Sequence, residues 1–283
     1  MVSIVVLTKN EAVDLPGCLQ SVSWCNDIHV LDSGSTDATI DIAIQFNAAV
    51  STNAFDSFGK QRNFALENLT LKNDWVLFLD ADEIATDKFT AGVINAITNA
   101  GNEVAGFYCC WKMMLDGKWL KHADNFPKWQ FRLVHKNRAR FTDFGHGQKE
   151  GAVIGSIDYI KEPYLHYGFS KGWFHWIERH NRYSDLEAIS RLNTIPNISN
   201  VFSATSSIRN PALKLWLSKI PGWPLLRFLQ AYIFNIGFVE GMPGLIYCIN
   251  MSYYEFLIQI KMKEIRRHSG KMLFTAMAGK EDN

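Results

Sequence analysis

The chain has 283 residues, enough to bury a full core in one domain or two fused ones. Its formal charge of +1 excludes a nucleic-acid binder that relies on a strong basic field. The balance hides an asymmetry: residues 201–283 carry 10 Lys and Arg against 5 Asp and Glu, a surplus of +5, which leaves −4 for residues 1–200.

In chain order, strands are expected near 2–8, 27–32, 48–51 and 74–80, with helices near 11–23, 36–46, 58–70 and 87–99. This alternation predicts an α/β fold, a mostly parallel sheet with helices on both faces. The β-branched run Ser3-Ile4-Val5-Val6-Leu7 stops at the polar Thr8-Lys9-Asn10-Glu11. The next, Ile28-His29-Val30-Leu31, stops at Asp32-Ser33-Gly34-Ser35-Thr36-Asp37. Gly34 permits a tight turn there, and Thr36 or Asp37 can cap the following helix. Lys60 and Arg62 begin the third helix two positions apart, so a regular helix cannot turn both the same way.

The run Trp75-Val76-Leu77-Phe78-Leu79-Asp80-Ala81-Asp82-Glu83 drives a buried strand straight into two carboxylates spaced Asp-x-Asp. Ligands of parallel sheets bind outside the carboxyl ends of the strands, where these acids emerge. Hard carboxylate oxygens at that place suit Mg²⁺ or Mn²⁺ carrying phosphates. Any one such loop is also a plain helix-capping turn. Three acid-bearing strand ends within 83 residues describe one ligand site on a sheet edge.

From Gly106 the texture changes. Phe107-Tyr108-Cys109-Cys110-Trp111 and Gln130-Phe131-Arg132-Leu133-Val134 read as strands, with a hairpin turn at Asp116-Gly117 between them. Residues 171–192 read as a helix with Trp173, Trp176, Ile177, His180, Tyr183 and Leu186 along one face, and 193–210 as a polar linker or lid. Apolar helices follow, broken at Pro221-Gly222-Trp223-Pro224 and at Gly241-Met242-Pro243-Gly244. The five cysteines follow no zinc or redox spacing, and no export signal is evident, which points to a reducing cytosol.

Thr8-Lys9-Asn10-Glu11, Asp32-Ser33-Gly34-Ser35-Thr36-Asp37 and Asp80-Ala81-Asp82 resemble, in order and spacing, the marks of family 2 glycosyltransferases, which are inverting, sugar-nucleotide-dependent enzymes of GT-A fold. Phe58-Gly59-Lys60-Gln61-Arg62-Asn63-Phe64-Ala65-Leu66 and the Gly241-Met242-Pro243-Gly244-Leu245-Ile246-Tyr247 run resemble the bacterial subgroup that builds lipopolysaccharide core and related surface glycans, glucosyltransferases among them. The resemblance implies a nucleotide-sugar-binding half over 1–105, an acceptor-side half over 106–200 and a helical region over 201–283. It implies a ribose contact for Asp80, which with Asp82 makes up the candidate metal motif; Asp82 is the expected direct ligand, and Glu83 either orients its shell or caps the next helix.

Asp32, Thr8 and Asn10 are expected to line the base pocket, with a UDP-sugar as the expected donor. Glu11 faces the cleft or starts a helix, and Arg62 or Lys60 reaches the diphosphate or sugar. A His-Glu pair supplies the base in the resembling subgroup. Here His146 and Glu150 are separated by Gly147-Gln148-Lys149. Glu150 is therefore the first candidate for the base, Asp143 the second, and His146 a possible base or metal neighbour. His166 is a further candidate for metal or diphosphate.

The function so implied is transfer of a sugar to a glycan or lipid-linked glycan acceptor, at the inner face of the cell membrane. A sugar-phosphate nucleotidyltransferase is the alternative enzyme, although Thr8-Lys9-Asn10-Glu11 is not the Gly-rich phosphate loop it usually needs. A non-catalytic membrane-docked scaffold is another. Residues 225–260 are apolar but interrupted, and Lys261, Lys263, Arg266, Arg267 and Lys271 follow, a pattern suited to a peripheral contact with an anionic membrane surface.

Overall fold

The computed structural model describes residues 1–278 apart from His146, Ile195, Pro196 and residues 203–205. They form two compact units, Met1–Trp173 and Phe174–Asn283.

The first unit opens with β1 (Val2–Thr8), α1 (Leu15–Ser21), β2 (Ile28–Asp32), α2 (Thr39–Gln45), β3 (Ala49–Thr52), α3 (Phe58–Asn68), β4 (Trp75–Asp80), β5 (Glu83–Ile84) and α4 (Asp87–Asn99). It continues with β6 (Val104–Leu115), β7 (Lys118–Trp119), β8 (Trp129–His135), β9 (Ala139–Phe144), β10 (Gly147–Val153) and β11 (Ser156–His166). The expected elements of the first hundred residues are all present. Helix starts follow local chemistry: the Ser57 hydroxyl accepts from the Lys60 N–H at α3, and Thr86 accepts from Phe89 N–H at α4.

The main sheet runs β3-β2-β1-β4-β8-β6-β11-β5. β3, β2, β1 and β4 are mutually parallel, as are β6 and β11, whereas β8 is antiparallel to both its neighbours. The order turns at β1 and β4, and the ends of these strands form the crevice where α/β sheets take ligands. Both strands are covered on both faces, which explains their unbroken apolar runs. Ile4, Val6, Leu77 and Leu79 join Leu15, Phe89 and Leu133 on one face; Val5, Leu7, Val76 and Phe78 join Ala65, Phe131 and Phe141 on the other. Asp116 and Gly117, at φ +49° and +72°, make the expected turn between β6 and β7. The β9–β10 hairpin and β11 have no counterpart in the sequence expectation.

The second unit begins within the first turn of α5 (Gly172–Asn193) and contains α6 (Ile198–Val201), α7 (Ser206–Leu217), α8 (Trp223–Leu229) and α9 (Gly241–Ala278). Its boundary with the first unit therefore falls earlier than the 200/201 division read from sequence. The reason is the packing of α5: Ala188 shares a cluster with Tyr254, Ile258 and Met262 of α9, and Arg191 grips Glu255 through Nη1 at 2.6 Å and Nη2 at 3.1 Å. The buried face of α5 carries Trp176, Ser184, Ala188 and Arg191, while Ile177 and Leu186, expected on it, are exposed. Lys261, assigned to a basic tail, instead pairs with Asp185 at 2.7 Å. Part of the 193–210 segment expected to be a linker is helical, in α6 and the start of α7; Ile195, Pro196 and residues 203–205 lie outside the described residues.

Candidate active site

The loops after β1 and β2 are laced together. Asp32 is fully buried, and its carboxylate accepts from the Thr8 hydroxyl at 2.9 Å, the N–H groups of Gly34 and Ser35 at 2.9 and 2.7 Å, and the Ser35 hydroxyl. Four donors fill its acceptor positions, so Asp32 shapes the pocket from beneath and does not present a free oxygen to a base, as the sequence reading expected. Asn10, at φ +55°, donates its N–H to Ser35 Oγ at 2.7 Å and accepts from Thr36 N–H at 2.8 Å.

Asp80 stands at the end of β4 between two guanidinium groups. Arg62 Nη2 lies 3.0 Å from Oδ1, and Arg132 reaches Oδ1 and Oδ2 at 3.2 and 2.6 Å. Both arginines are 1 % exposed and Asp80 is 32 % exposed. Burial opposes ionisation of Asp80, but the two cations outweigh it and hold the carboxyl well below its ordinary range. Arg62 does not reach outward to a diphosphate. It lies among Phe58, Phe78 and Phe141, with its guanidinium carbon 5.7 to 5.9 Å from each ring centroid. Lys60 faces the other way, exposed, on Asp56.

Glu83 belongs neither to a helix cap nor to the exposed edge of the motif. It is buried, accepts the Asp80 N–H at 2.9 Å and pairs with Arg132 at 2.6 Å, thereby closing the turn that carries Asp82. Burial pushes its carboxyl up to about 7, against the pull of Arg132. Asp82, 14 % exposed, has Oδ2 3.4 Å from Nε2 of His166, the last residue of β11. Burial lowers the His166 pKa, but Asp82, Glu83 and Asp80 more than offset it, and the net shift is upward.

Of the residues named from the sequence as metal candidates, His166 lies beside Asp82, whereas both oxygens of Asp80 are taken up by arginines. Among the described residues no group of three or more His, Cys, Asp or Glu side chains converges to hold a metal. One carboxylate and one imidazole would fit a divalent cation such as Mn²⁺ or Mg²⁺ that also binds phosphate oxygens.

The sequence profile of Glycosyl transferase family 2 matches residues 3–149. The chain belongs to that family. The matched span holds every residue of the three strand-end motifs. Among relatives similar along nearly their whole length are an uncharacterized glycosyltransferase of Rickettsia typhi, 25 % identical over 96 % of this chain and 90 % of its own, and the lipopolysaccharide core biosynthesis glycosyltransferase LpsC of Rhizobium meliloti, 24 % identical over 95 % and 93 %. Similar solved structures include S. aureus TarS in complex with UDP-GlcNAc (15 % identity, 94 % and 92 % coverage, TM-score 0.46). Glucosyl-3-phosphoglycerate synthase from Mycobacterium tuberculosis with Mn²⁺ and UDP-glucose is another (16 %, 59 % and 71 %, TM-score 0.42).

In this family 2 chain two of the candidate bases, Asp143 and Glu150, have hydrogen-bond partners of their own. Asp143 Oδ1 accepts the Gly59 N–H at 3.0 Å, at the start of α3. Glu150 in β10 accepts a hydrogen bond from the Tyr108 hydroxyl, whose pKa is raised by burial and by this carboxylate. His146 lies outside the described residues.

Two residues escaped the sequence reading. Arg132 could have been found, because a lone cation inside a buried apolar strand demands a buried anion. Lys171 could not, since only the turn after β11 brings it back to the first loop. Its Nζ lies 2.6 Å from Glu11 and 2.8 Å from the Asn10 carbonyl, while Tyr167 donates its N–H to the Asp82 carbonyl at 2.8 Å. Segment 166–171 therefore straps the loops of β1 and β4 together.

Proposed function

We propose that this family 2 enzyme transfers a sugar from a UDP-sugar, with a divalent cation and inversion at the anomeric carbon, to a lipopolysaccharide-type or lipid-linked glycan. The observation that carries the reading is the Asp82–His166 pair at the crevice of the parallel sheet, beside an Asp80 held between Arg62 and Arg132. LpsC, similar along nearly the whole chain, supports the acceptor class by its name.

Asp82 and His166 would hold the cation, which would supply neutralisation of the charge growing on the departing diphosphate. The protein does the rest. Asp80, aimed by Arg62 and Arg132, accepts hydrogen bonds from the ribose hydroxyls. The interlaced loops carrying Thr8, Asn10 and Asp32 form the base pocket, and Glu11 with Lys171 closes its side. Glu150 takes the proton of the acceptor hydroxyl. The acceptor oxygen bonds to the anomeric carbon from the face opposite the nucleotide, and the old carbon–oxygen bond leaves its electron pair on UDP. Holding the two reactants in line supplies much of the rate.

Incubation with UDP-sugars, Mn²⁺ and deacylated lipopolysaccharide core tests this. Release of UDP that depends on acceptor and metal is expected. Pyrophosphate formation from a sugar phosphate and a nucleoside triphosphate would instead favour a nucleotidyltransferase, and neither product would favour a scaffold. The enzyme is proposed to work at the cytoplasmic face of the membrane, where both donor and lipid-bound acceptor are present.

A further inference from the structure

In the second unit α9 carries apolar side chains on its exposed face as well as on its buried one, where Tyr247, Tyr254, Ile258 and Met262 pack. The buried face of α9 holds Glu255, paired to Arg191 and accepting from the Trp223 indole N–H at 3.0 Å. The opposite face, where a water-facing helix carries charges, presents Met242, Ile249, Tyr253, Phe256 and Ile260, each between 40 % and 64 % exposed. Their spacings of seven, four, three and four residues place them on one stripe. Lys263 and Arg267, both exposed, continue that stripe at the next three and four positions, with Arg266 beside them.

At the other end, a 71° bend separates Trp223–Phe234 from Gly237–Arg267, and Phe234, Phe238 and Val239 at the bend are exposed. Exposed apolar side chains on water-facing surfaces are ordinarily scattered singly. Here they are contiguous and end in cations. No single helix among the described residues is long and apolar enough to cross a membrane.

We propose that this face of the second unit docks on an anionic phospholipid bilayer. The stripe enters the boundary between headgroups and acyl chains, and Lys263, Arg266 and Arg267 meet the headgroup phosphates. A bilayer offers apolar and anionic layers side by side, in the order in which the stripe presents their complements. A second copy does not: parallel packing sets cation on cation, and antiparallel packing sets cations on apolar side chains. The buried Arg191–Glu255 pair agrees with lipid contact, because charge near a bilayer is kept on the protein side.

Flotation of the full chain at low salt, with vesicles of phosphatidylcholine alone or mixed with phosphatidylglycerol, tests the proposal. The chain is expected to float with the anionic vesicles. The triple variant Lys263→Gln, Arg266→Gln, Arg267→Gln should lower vesicle partitioning about 100-fold, each cation being worth about a factor of five near an anionic surface. Ile249→Glu with Phe256→Glu should abolish flotation while the melting temperature stays unchanged. Failure of the wild type to float with anionic vesicles would overturn the proposal. So would flotation of both variants at the wild-type level, or a dimer seen by sedimentation that Ile249→Glu with Phe256→Glu dissolves without altering flotation.

Discussion

Arg132 touches both oxygens of Asp80 and, through the same Nη2 that lies 2.6 Å from Asp80 Oδ2, approaches Glu83 Oε1 at 2.6 Å. One buried cation thus aims the first acid of the motif and fixes the turn that presents Asp82. Removing it leaves Glu83, 1 % exposed, as an uncompensated buried acid. Arg132→Met is expected to cost about 3–5 kcal/mol of folding stability, read as a lower urea midpoint. Adding Glu83→Gln should recover part of the loss. A single variant within about 0.5 kcal/mol of wild type would show that the triad is not coupled as described.

Asp32→Ala removes the carboxylate that accepts four donors from the loops of β1 and β2. The Thr8 and Ser35 hydroxyls and two N–H groups lose their partner, so the pocket floor loosens. Calorimetric titration with UDP should give a Kd raised at least about tenfold, matching one buried polar defect of about 1–3 kcal/mol. An unchanged Kd would mean that the two loops are ordered without Asp32.

The parallel half of the fold was legible because both-face burial writes itself as unbroken apolar runs, as at Leu77, Phe78 and Leu79, each ending in a polar loop. The motif residues Thr8, Asn10, Asp32, Asp80 and Asp82 do cluster on the strand ends. Their partners were less legible. Arg62 was read as a diphosphate contact because its neighbours in sequence say nothing of Phe58, Phe78 and Phe141 closing around it. β9 and β10 mix polar, glycine and aromatic residues with no sustained apolar run and form by pairing with each other, a tertiary choice that composition does not record. The α5 face was misread because aromatic spacing was followed, while Ser184, Ala188 and Arg191 take the buried positions.

Glu150→Gln is expected to lower kcat by about 10²–10⁴-fold with an unchanged Kd for the donor, since a general base acts only as the acceptor proton leaves. Asp143→Asn should weaken only its bond to Gly59 N–H. A silent Glu150→Gln beside an inactive Asp143→Asn would transfer the role to Asp143.

Glu11 gives a pH signature. Burial, with lesser contributions from Asp82 and Asp14, raises its carboxyl from 4.5 to about 7, although Lys171 opposes the shift. Between these values the group holds its proton in the folded chain and loses it in the unfolded one. Its contribution to stability is full below 4.5 and is lost as pH rises through about 7. In metal-free buffer the wild-type melting temperature should therefore decline relative to that of Glu11→Gln across this window. Parallel profiles would remove Glu11 from the account.

The pairing of Asp82 with His166 is tested most directly by UDP titration with Mn²⁺ and with a chelator, in the wild type, Asp82→Asn and His166→Ala. The wild type is expected to bind UDP far more tightly with Mn²⁺. Both variants should retain the weak chelator-state affinity and the wild-type fold, and lose the Mn²⁺ enhancement. Full Mn²⁺ enhancement in Asp82→Asn would contradict the account.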